Sequence, residues 1–432
     1  MNSIWQNDIK KPQFEDLNGD IKTDVLIIGG GMAGLLCGSE LKNRGVDCVI
    51  VEAREICGGI TKNTTAKVTA HHGAIFDKML NRFGLEKTAL YFKAQQNAAE
   101  KILRLCEDND CDFGNQTSFV YSKNNKPKIE KEVLALNKIG CHAKFKDNLA
   151  LPFNIAGAVC VENQGQFHPL KFAYKIAAEL KIYENTEVLD ITPDGAVTKN
   201  GKIRAGKIIV ATHFPLLNRH GFYFLKMYQH RSYVLGLQNA PNVNGIYVDE
   251  NDKGLSFRNY GDTLLLGGGG HRTGKNGGGW RELREFAAKN YTNAREVCHF
   301  ATQDCKTLDD IAYIGQYSKN TPWLYAATGF NKWGMTNSMV AAQILADLIT
   351  DKPNEFAKVF SPSRSILRPQ LMINVGETAV NMLTPTAPRC SHLGCALKYN
   401  KQEHSWDCSC HGSRFASDGR VIDNPAKRDK SI

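Results

Sequence analysis

The chain has 432 residues, 42% hydrophobic and 23% charged, with a formal net charge of +10 and a pI near 8.9. This is ordinary globular composition, long enough for two or three domains with a full-sized core, and it excludes a disordered, collagenous or small disulfide-stapled chain. The basic residues are interleaved with acidic ones, so the charge reads as a solvated lysine-rich surface rather than a nucleic-acid footprint. Glu15, Asp16, Asp20 and Asp24 precede the first apolar run, where a signal peptide would carry a basic start and an apolar core. The longest apolar stretch, 25–38, holds five glycines and is too short to span a bilayer, so a soluble cytoplasmic protein is expected. Nine of the thirteen cysteines are scattered, as plain thiols would be, whereas Cys390, Cys395, Cys408 and Cys410 crowd into 21 residues, as in a metal site.

Residues 24–52 run from an apolar strand through Gly29-Gly30-Gly31-Met32-Ala33-Gly34 into a helix, then into a second strand ending at Glu52. Strand, glycine turn, helix and strand make the βαβ unit that binds a dinucleotide. Gly29 permits the tight turn, Gly31 lets backbone N–H groups approach the pyrophosphate, and Gly34 lets the helix pack on the strand. Glu52 is placed to accept hydrogen bonds from the adenosine ribose. The loop that follows, with Thr61 and Thr65, is polar and rich in small residues where NAD enzymes usually continue their alternation of strand and helix. Further on, 165–169 lead into a helix with Ala173, Ile176, Ala177 and Leu180 on one face, and 187–189 and 208–212 read as strands. Gly267 to Gly270 and Gly277 to Gly279 lack the turn-then-helix context of a nucleotide loop and are expected to form a flexible turn. Residues 324–329 read as a buried strand and turn, leading through Phe330, Gly334 and Met335 into a helix ending near Thr350.

With these residues the chain resembles, over 20–350, the FAD-dependent oxidoreductases of the D-amino-acid oxidase type. The resemblance implies FAD as cofactor, held by Gly29, Gly31, Met32, Ala33, Gly34, Glu52, Thr61, Thr65, Val188 and Thr212. It also implies that the last helix aims its N-terminus at the flavin pyrimidine ring through Gly329, Phe330, Gly334 and Met335, where N–H groups stabilise negative charge. The implied fold is an α/β Rossmann-type FAD domain (21–80, 160–215 and 305–351) with a mixed-sheet substrate domain (about 81–159 and 216–304), after an N-terminal extension (1–20). With no second dinucleotide fingerprint, electrons are expected to enter from an organic substrate rather than from NAD(P)H.

Cys390-Ser391-His392 and, after a gap, Cys408-Ser409-Cys410-His411 offer two thiolates and two imidazoles, ligand types that also suit zinc. The extra cysteine pair and the Gly-Ser after His411 favour iron and sulfide, and the segment resembles a small all-β Rieske [2Fe-2S] domain. By that resemblance Cys390 and Cys408 hold one iron, His392 and His411 hold the other, and Cys395 and Cys410 form a disulfide. Ser413 matches a hydroxyl donor to a cluster sulfide, and Phe415 stands where high-potential members carry tyrosine. The expected midpoint therefore falls well short of the top of the range of about −150 to +300 mV. The segment 386–432 is only 47 residues long, and docking on the flavin domain is expected to replace the strands that Rieske domains usually add. The preceding linker, 352–385, is rich in proline, and Met372, Val375, Ala379 and Met382 can form one face of a short tethering helix.

A flavin and a Rieske cluster in one chain read as a converter of two-electron to one-electron transfer. The resemblance implies an amine or amino-acid substrate and, with a cluster outlet, a dehydrogenase rather than an oxidase. The acceptor is unidentified; the positive charge suits an acidic carrier of the ferredoxin kind. On the substrate side, Lys67 and His72 are candidates to face the flavin, and Arg258 with Tyr260, and Arg231 with Tyr233, are candidates to bind a carboxylate, although each of these four fits an ordinary surface or structural residue better. Cys305 stands roughly where some sarcosine oxidases attach flavin, with a different spacing to its acidic neighbours. The alternative reading is an electron-transfer or redox-sensing module that exchanges electrons with a protein carrier.

Overall fold

The computed structural model describes residues 3–7, 9–217, 220–385 and 388–430. The boundary expected at Thr386 and the last residue, Ile432, lie outside the described residues. Strand Ile21–Ile28 is the centre of the first sheet, flanked by two parallel neighbours, Cys48–Val51 and Lys202–Val210. Leu324–Thr328 continues the parallel set beyond Lys202–Val210, and Tyr313–Gln316 closes that edge antiparallel. The C-terminal half of the central strand, Val25-Leu26-Ile27-Ile28, is an unbroken buried apolar run because both faces of the strand are covered there. Val25 and Ile27 pack with the helices Met32–Lys42 and Gly334–Ile349, while Leu26 and Ile28 pack on the opposite side with Val49 and Val51.

The second sheet has nine strands in mixed orientation. Met227–Gln238 pairs antiparallel with both Thr263–Arg272 and Arg295–Thr307, whereas Ile246–Asp249 runs parallel to Gly114–Ser122. Gly267 to Gly270, expected to form a turn, lie instead inside strand Thr263–Arg272. The reason is steric: a Cβ on Gly267 would meet Ser256 Oγ at 2.5 Å, and one on Gly269 would meet Gly279 O at 2.4 Å.

Four short antiparallel strands, Leu397–Asn400, Ser405–Cys408, Arg414–Ala416 and Val421–Asp423, form the C-terminal sheet. The tethering segment contains helix Pro369–Leu383, but the expected face points outward: Met372 is 72% exposed, whereas Asn374 and Asn381 are 2% exposed. The Asn374 side chain anchors the helix, with Oδ1 accepting from Arg272 Nη1 (3.0 Å) and Nδ2 donating to Leu225 O (3.3 Å), and the backbone Asn381 O accepts from Ala396 N (3.0 Å). No helix among the described residues is long and apolar enough to cross a membrane.

Candidate active site and cluster centre

A cavity of about 1430 Å³ opens at the C-terminal ends of the parallel strands, where this topology places ligands. Of the residues nominated above for the cofactor, all but Gly34 line it. Gly34 lies beneath, where a Cβ would come 1.9 Å from Gly29 O, so no larger residue fits against the turn. Gly29 has φ +113°, and its Cβ would meet Ala211 O at 2.6 Å, whereas a Cβ on Gly31 would meet only Thr61 Oγ1, at an ordinary 3.5 Å. Close backbone packing on one side and an open face at the helix N-terminus on the other make a cradle for a pyrophosphate. Glu52 is fixed by Gly30 N (2.8 Å) and Arg54 N (3.0 Å), which leaves its carboxylate at the cavity edge. Size, glycine cradle and acid together fit a dinucleotide.

The substrate-side nominees divide. Lys67 lines the cavity with Nζ 3.0 Å from Thr65 Oγ1 and 3.5 Å from Ser256 Oγ, and burial, with the nearby Arg258 charge, pulls it down to about 7. His72 also lines the cavity, stacked on Trp333 at 4.8 Å, but Nδ1 engages Tyr91 Oη (2.7 Å) and Nε2 engages Thr69 O (2.8 Å). Both nitrogens are committed, so its place is that of a wall.

Arg258 and Tyr260 lie outside the cavity lining, a correction to the carboxylate-binding expectation. Arg258 is fully buried, donates to Thr65 O (2.7 Å) and Ala66 O (3.0 Å), and lies over the Trp5 ring. Tyr260 donates to Asp112 at 2.6 Å. Arg231 is likewise taken, by Glu403 of the C-terminal sheet, which also accepts from Tyr233 Oη (2.9 Å). Burial pushes the Cys305 thiol well up, away from the reactive thiolate.

Sequence reasoning missed a second group of cavity residues, Asp252, Asp304, Lys306 and Lys332, because no motif marks them. Lys306 Nζ pairs with Asp252, and Lys332 Nζ stands 3.7 Å from the same carboxylate. Burial raises the Asp252 carboxyl, but Lys332 and Lys306 outweigh it and hold it below the ordinary range. Asp304 is raised by burial.

At the C-terminal end, Cys395 and Cys410 form a disulfide, and the His392 and His411 rings lie perpendicular, 5.0 Å apart. Cys390 and Cys408 are adjacent buried thiols, and Ser413 Oγ hydrogen-bonds toward Cys390. Among the described residues both ring nitrogens of His411 are buried without a hydrogen-bond partner, a costly state unless something else ligates them. Burial, with His392 and Arg272 nearby, pulls His411 down to about 3, which keeps it in the neutral form a metal needs. Two thiols and two imidazoles at converging loop tips fit a Rieske-type cluster.

Flavin-domain side chains clasp these loops. Gln229 Nε2 donates to His411 O (3.0 Å) and Asn424 O (2.8 Å), and Gln303 Nε2 donates to Gly412 O (2.9 Å). Arg272 donates to Ser409 O (3.0 Å) and Cys410 O (3.2 Å). Gly412 has φ +87°, and a Cβ there would strike Gln229 Cβ at 2.4 Å, which lets the loop sit flush on the strand. From the other side Ile422, Asp423, Asn424 and Lys427 line the large cavity itself. The tail therefore closes the compartment that the glycine turn opens.

Residues 24–348 match the FAD dependent oxidoreductase family, and residues 363–431 match the Rieske [2Fe-2S] domain. YhfW of Bacillus subtilis (strain 168), described as a Rieske 2Fe-2S iron-sulfur protein, is 33% identical over 98% of this chain and 96% of its own length. Gamma-glutamylputrescine oxidoreductase of Escherichia coli (strain K12) is 26% identical over 47% of this chain and 51% of its own. The crystal structure of glycine oxidase from Geobacillus kaustophilus shares the fold with a TM-score of 0.67 at 20% identity, over 80% of this chain and 99% of that one.

Proposed function

Because this chain belongs to the FAD-dependent oxidoreductase family and carries a Rieske [2Fe-2S] domain, we propose that it oxidises an amine or amino-acid-like substrate and releases the electrons singly to a separate acceptor. The single observation that carries this reading is the shared wall: Ile422 to Lys427 of the cluster-bearing tail line the same cavity as Gly29, Gly31 and Glu52. FAD supplies hydride acceptance from a carbon–hydrogen bond, and the 2Fe-2S cluster supplies one-electron carriage.

In this reading Gly29 to Gly34 and Glu52 bind the adenosine and pyrophosphate end, and Val188 and Thr212 flank it. The N-terminus of helix Gly334–Ile349, reached through Gly329 and Phe330, presents N–H groups to the flavin pyrimidine side. Cys390 and Cys408, with His392 and His411, hold the cluster. Hydride loss from an amine requires the neutral nitrogen, so a proton must first leave the substrate ammonium. Lys67 Nζ takes that proton, because its burial already leaves it near half-neutral at pH 7. Asp252, Lys306 and Lys332 supply both signs of charge for a zwitterion.

An outlet built into the cavity wall favours a dehydrogenase over an oxidase, and E. coli gamma-glutamylputrescine oxidoreductase, a sequence relative, favours the amine class. Anaerobic addition of amines and amino acids tests this directly. The expected outcome is loss of flavin absorbance followed by the EPR signal of a reduced Rieske cluster, with little peroxide when air is admitted. Reduction by a protein carrier alone, with no small amine effective, would instead establish an electron-transfer module.

A further inference from the structure

Helix Pro369–Leu383 is turned inside out relative to an ordinary surface helix. Its buried positions are Asn374 and Asn381, and its outward face presents Met372, Ile373, Val380, Met382 and Leu383, the last 83% exposed. Leu367, 78% exposed, extends the strip past the N-terminal end. Glu377, the only charged residue of the helix, is neutralised by Lys275 at 2.8 Å. Contiguous exposed apolar strips of this kind mark contact surfaces.

The charges at the N-terminal end identify what is contacted. Arg368 caps the helix and lies over the Phe83 ring at 5.5 Å; Lys87 and Arg82 crowd the same ring at 4.8 and 5.9 Å. Three cations thus border one end of an uncharged apolar strip, the pattern of a helix lying in a lipid interface. A protein partner would call for about one hydrogen bond per 100–200 Å² of contact, and the outward side chains of this strip offer none. A second copy packed helix to helix would bring like charge toward like charge, since Arg389 wraps the carbonyls at the far end.

We propose that helix Pro369–Leu383 seats the protein on an anionic lipid bilayer, its apolar strip in the headgroup boundary and Arg82, Lys87 and Arg368 on the lipid phosphates. The attachment is peripheral, since the helix has only 15 residues. It is independent of the substrate and of the redox chemistry. Its inner face reaches the cluster loops through Asn374 and Arg272, so the bilayer lies beside the C-terminal centre.

Flotation of the full-length holoprotein with vesicles tests the attachment. Wild type is expected to float with phosphatidylglycerol–phosphatidylcholine vesicles about tenfold or more better than with phosphatidylcholine alone, and to be released by high salt. Ile373→Glu combined with Val380→Glu changes only outward side chains; it should reduce flotation about tenfold or more, with flavin absorbance and circular dichroism unchanged. Arg82→Glu combined with Lys87→Glu should abolish the lipid-charge preference. Failure of wild type to float with anionic vesicles, or flotation of both variants like wild type, overturns the proposal. So does a concentration-dependent dimer, seen in sedimentation without lipid, that Ile373→Glu with Val380→Glu abolishes, because the strip would then belong to a second copy.

Discussion

Glu403→Gln should loosen the C-terminal sheet from the flavin domain. The wild-type carboxylate is buried between two guanidiniums, with Arg231 Nε at 3.0 Å and Arg414 Nη2 at 2.8 Å, and it accepts from Tyr233 Oη at 2.9 Å. Burial alone would raise this carboxyl, yet Arg231 and Arg414 bring it down to about 2 from an ordinary 4.5. At 1.36 kcal/mol per pH unit, that drop is a preference of about 3 kcal/mol for the charged form. Glutamine keeps the shape and removes the charge. Arg414 retains Asp407 (3.0 Å) and Asp423 (2.9 Å), but the Arg231 guanidinium is left buried without its counter-ion, a change that costs about 3–5 kcal/mol in buried pairs. Amide hydrogen exchange reads the loss: opening of 397–423 should be on the order of a hundredfold more frequent, with strand Ile21–Ile28 unaffected. A depressed carboxyl contributes stability above its unfolded value and loses it as pH falls through the folded one. Wild-type protection of this segment should therefore decline between pH 4.5 and about 2 by a component that the variant lacks. Equal protection in both proteins, with the same acid profile, would refute the clamp.

The other predictions use independent groups. Gly34→Ala forces a Cβ to 1.9 Å from Gly29 O, so the purified variant should lack flavin absorbance while keeping the cluster EPR signal. Arg258→Ala removes two charged hydrogen bonds and the support of Trp5; urea unfolding should show a loss of about 3 kcal/mol. For Lys67→Met, the anaerobic flavin-reduction rate should lose its pH dependence around 7: wild-type rate rises with pH through that value because the neutral amine accepts the proton. At the cluster, Phe415→Tyr should raise the midpoint in a redox titration and Ser413→Ala should lower it, since a donor to the cluster stabilises the reduced, more negative state.

The two cofactor sites were legible because each is written in short-range spacing. A glycine turn between a strand and a helix, or Cys and His two and three residues apart, has its geometry set by local backbone and needs little from the rest of the chain. Partners far apart in sequence carry no such mark. Arg258 and Arg231 look alike as candidates for a carboxylate, yet one braces the 65–66 carbonyls and the other meets a glutamate 172 residues later. A buried cation is committed to whatever acceptor the tertiary fold delivers, and spacing cannot say which. Helix Pro369–Leu383 shows the same limit from the opposite direction. Its 3.6-residue period divides it correctly into a polar and an apolar face, but periodicity is blind to which face turns inward. That is decided by the wall it meets: Arg272, already spanning the carbonyls of Ser409 and Cys410, still has a donor left, and the amide oxygen of Asn374 accepts it. The apolar face is turned outward because the cluster loops need a polar neighbour.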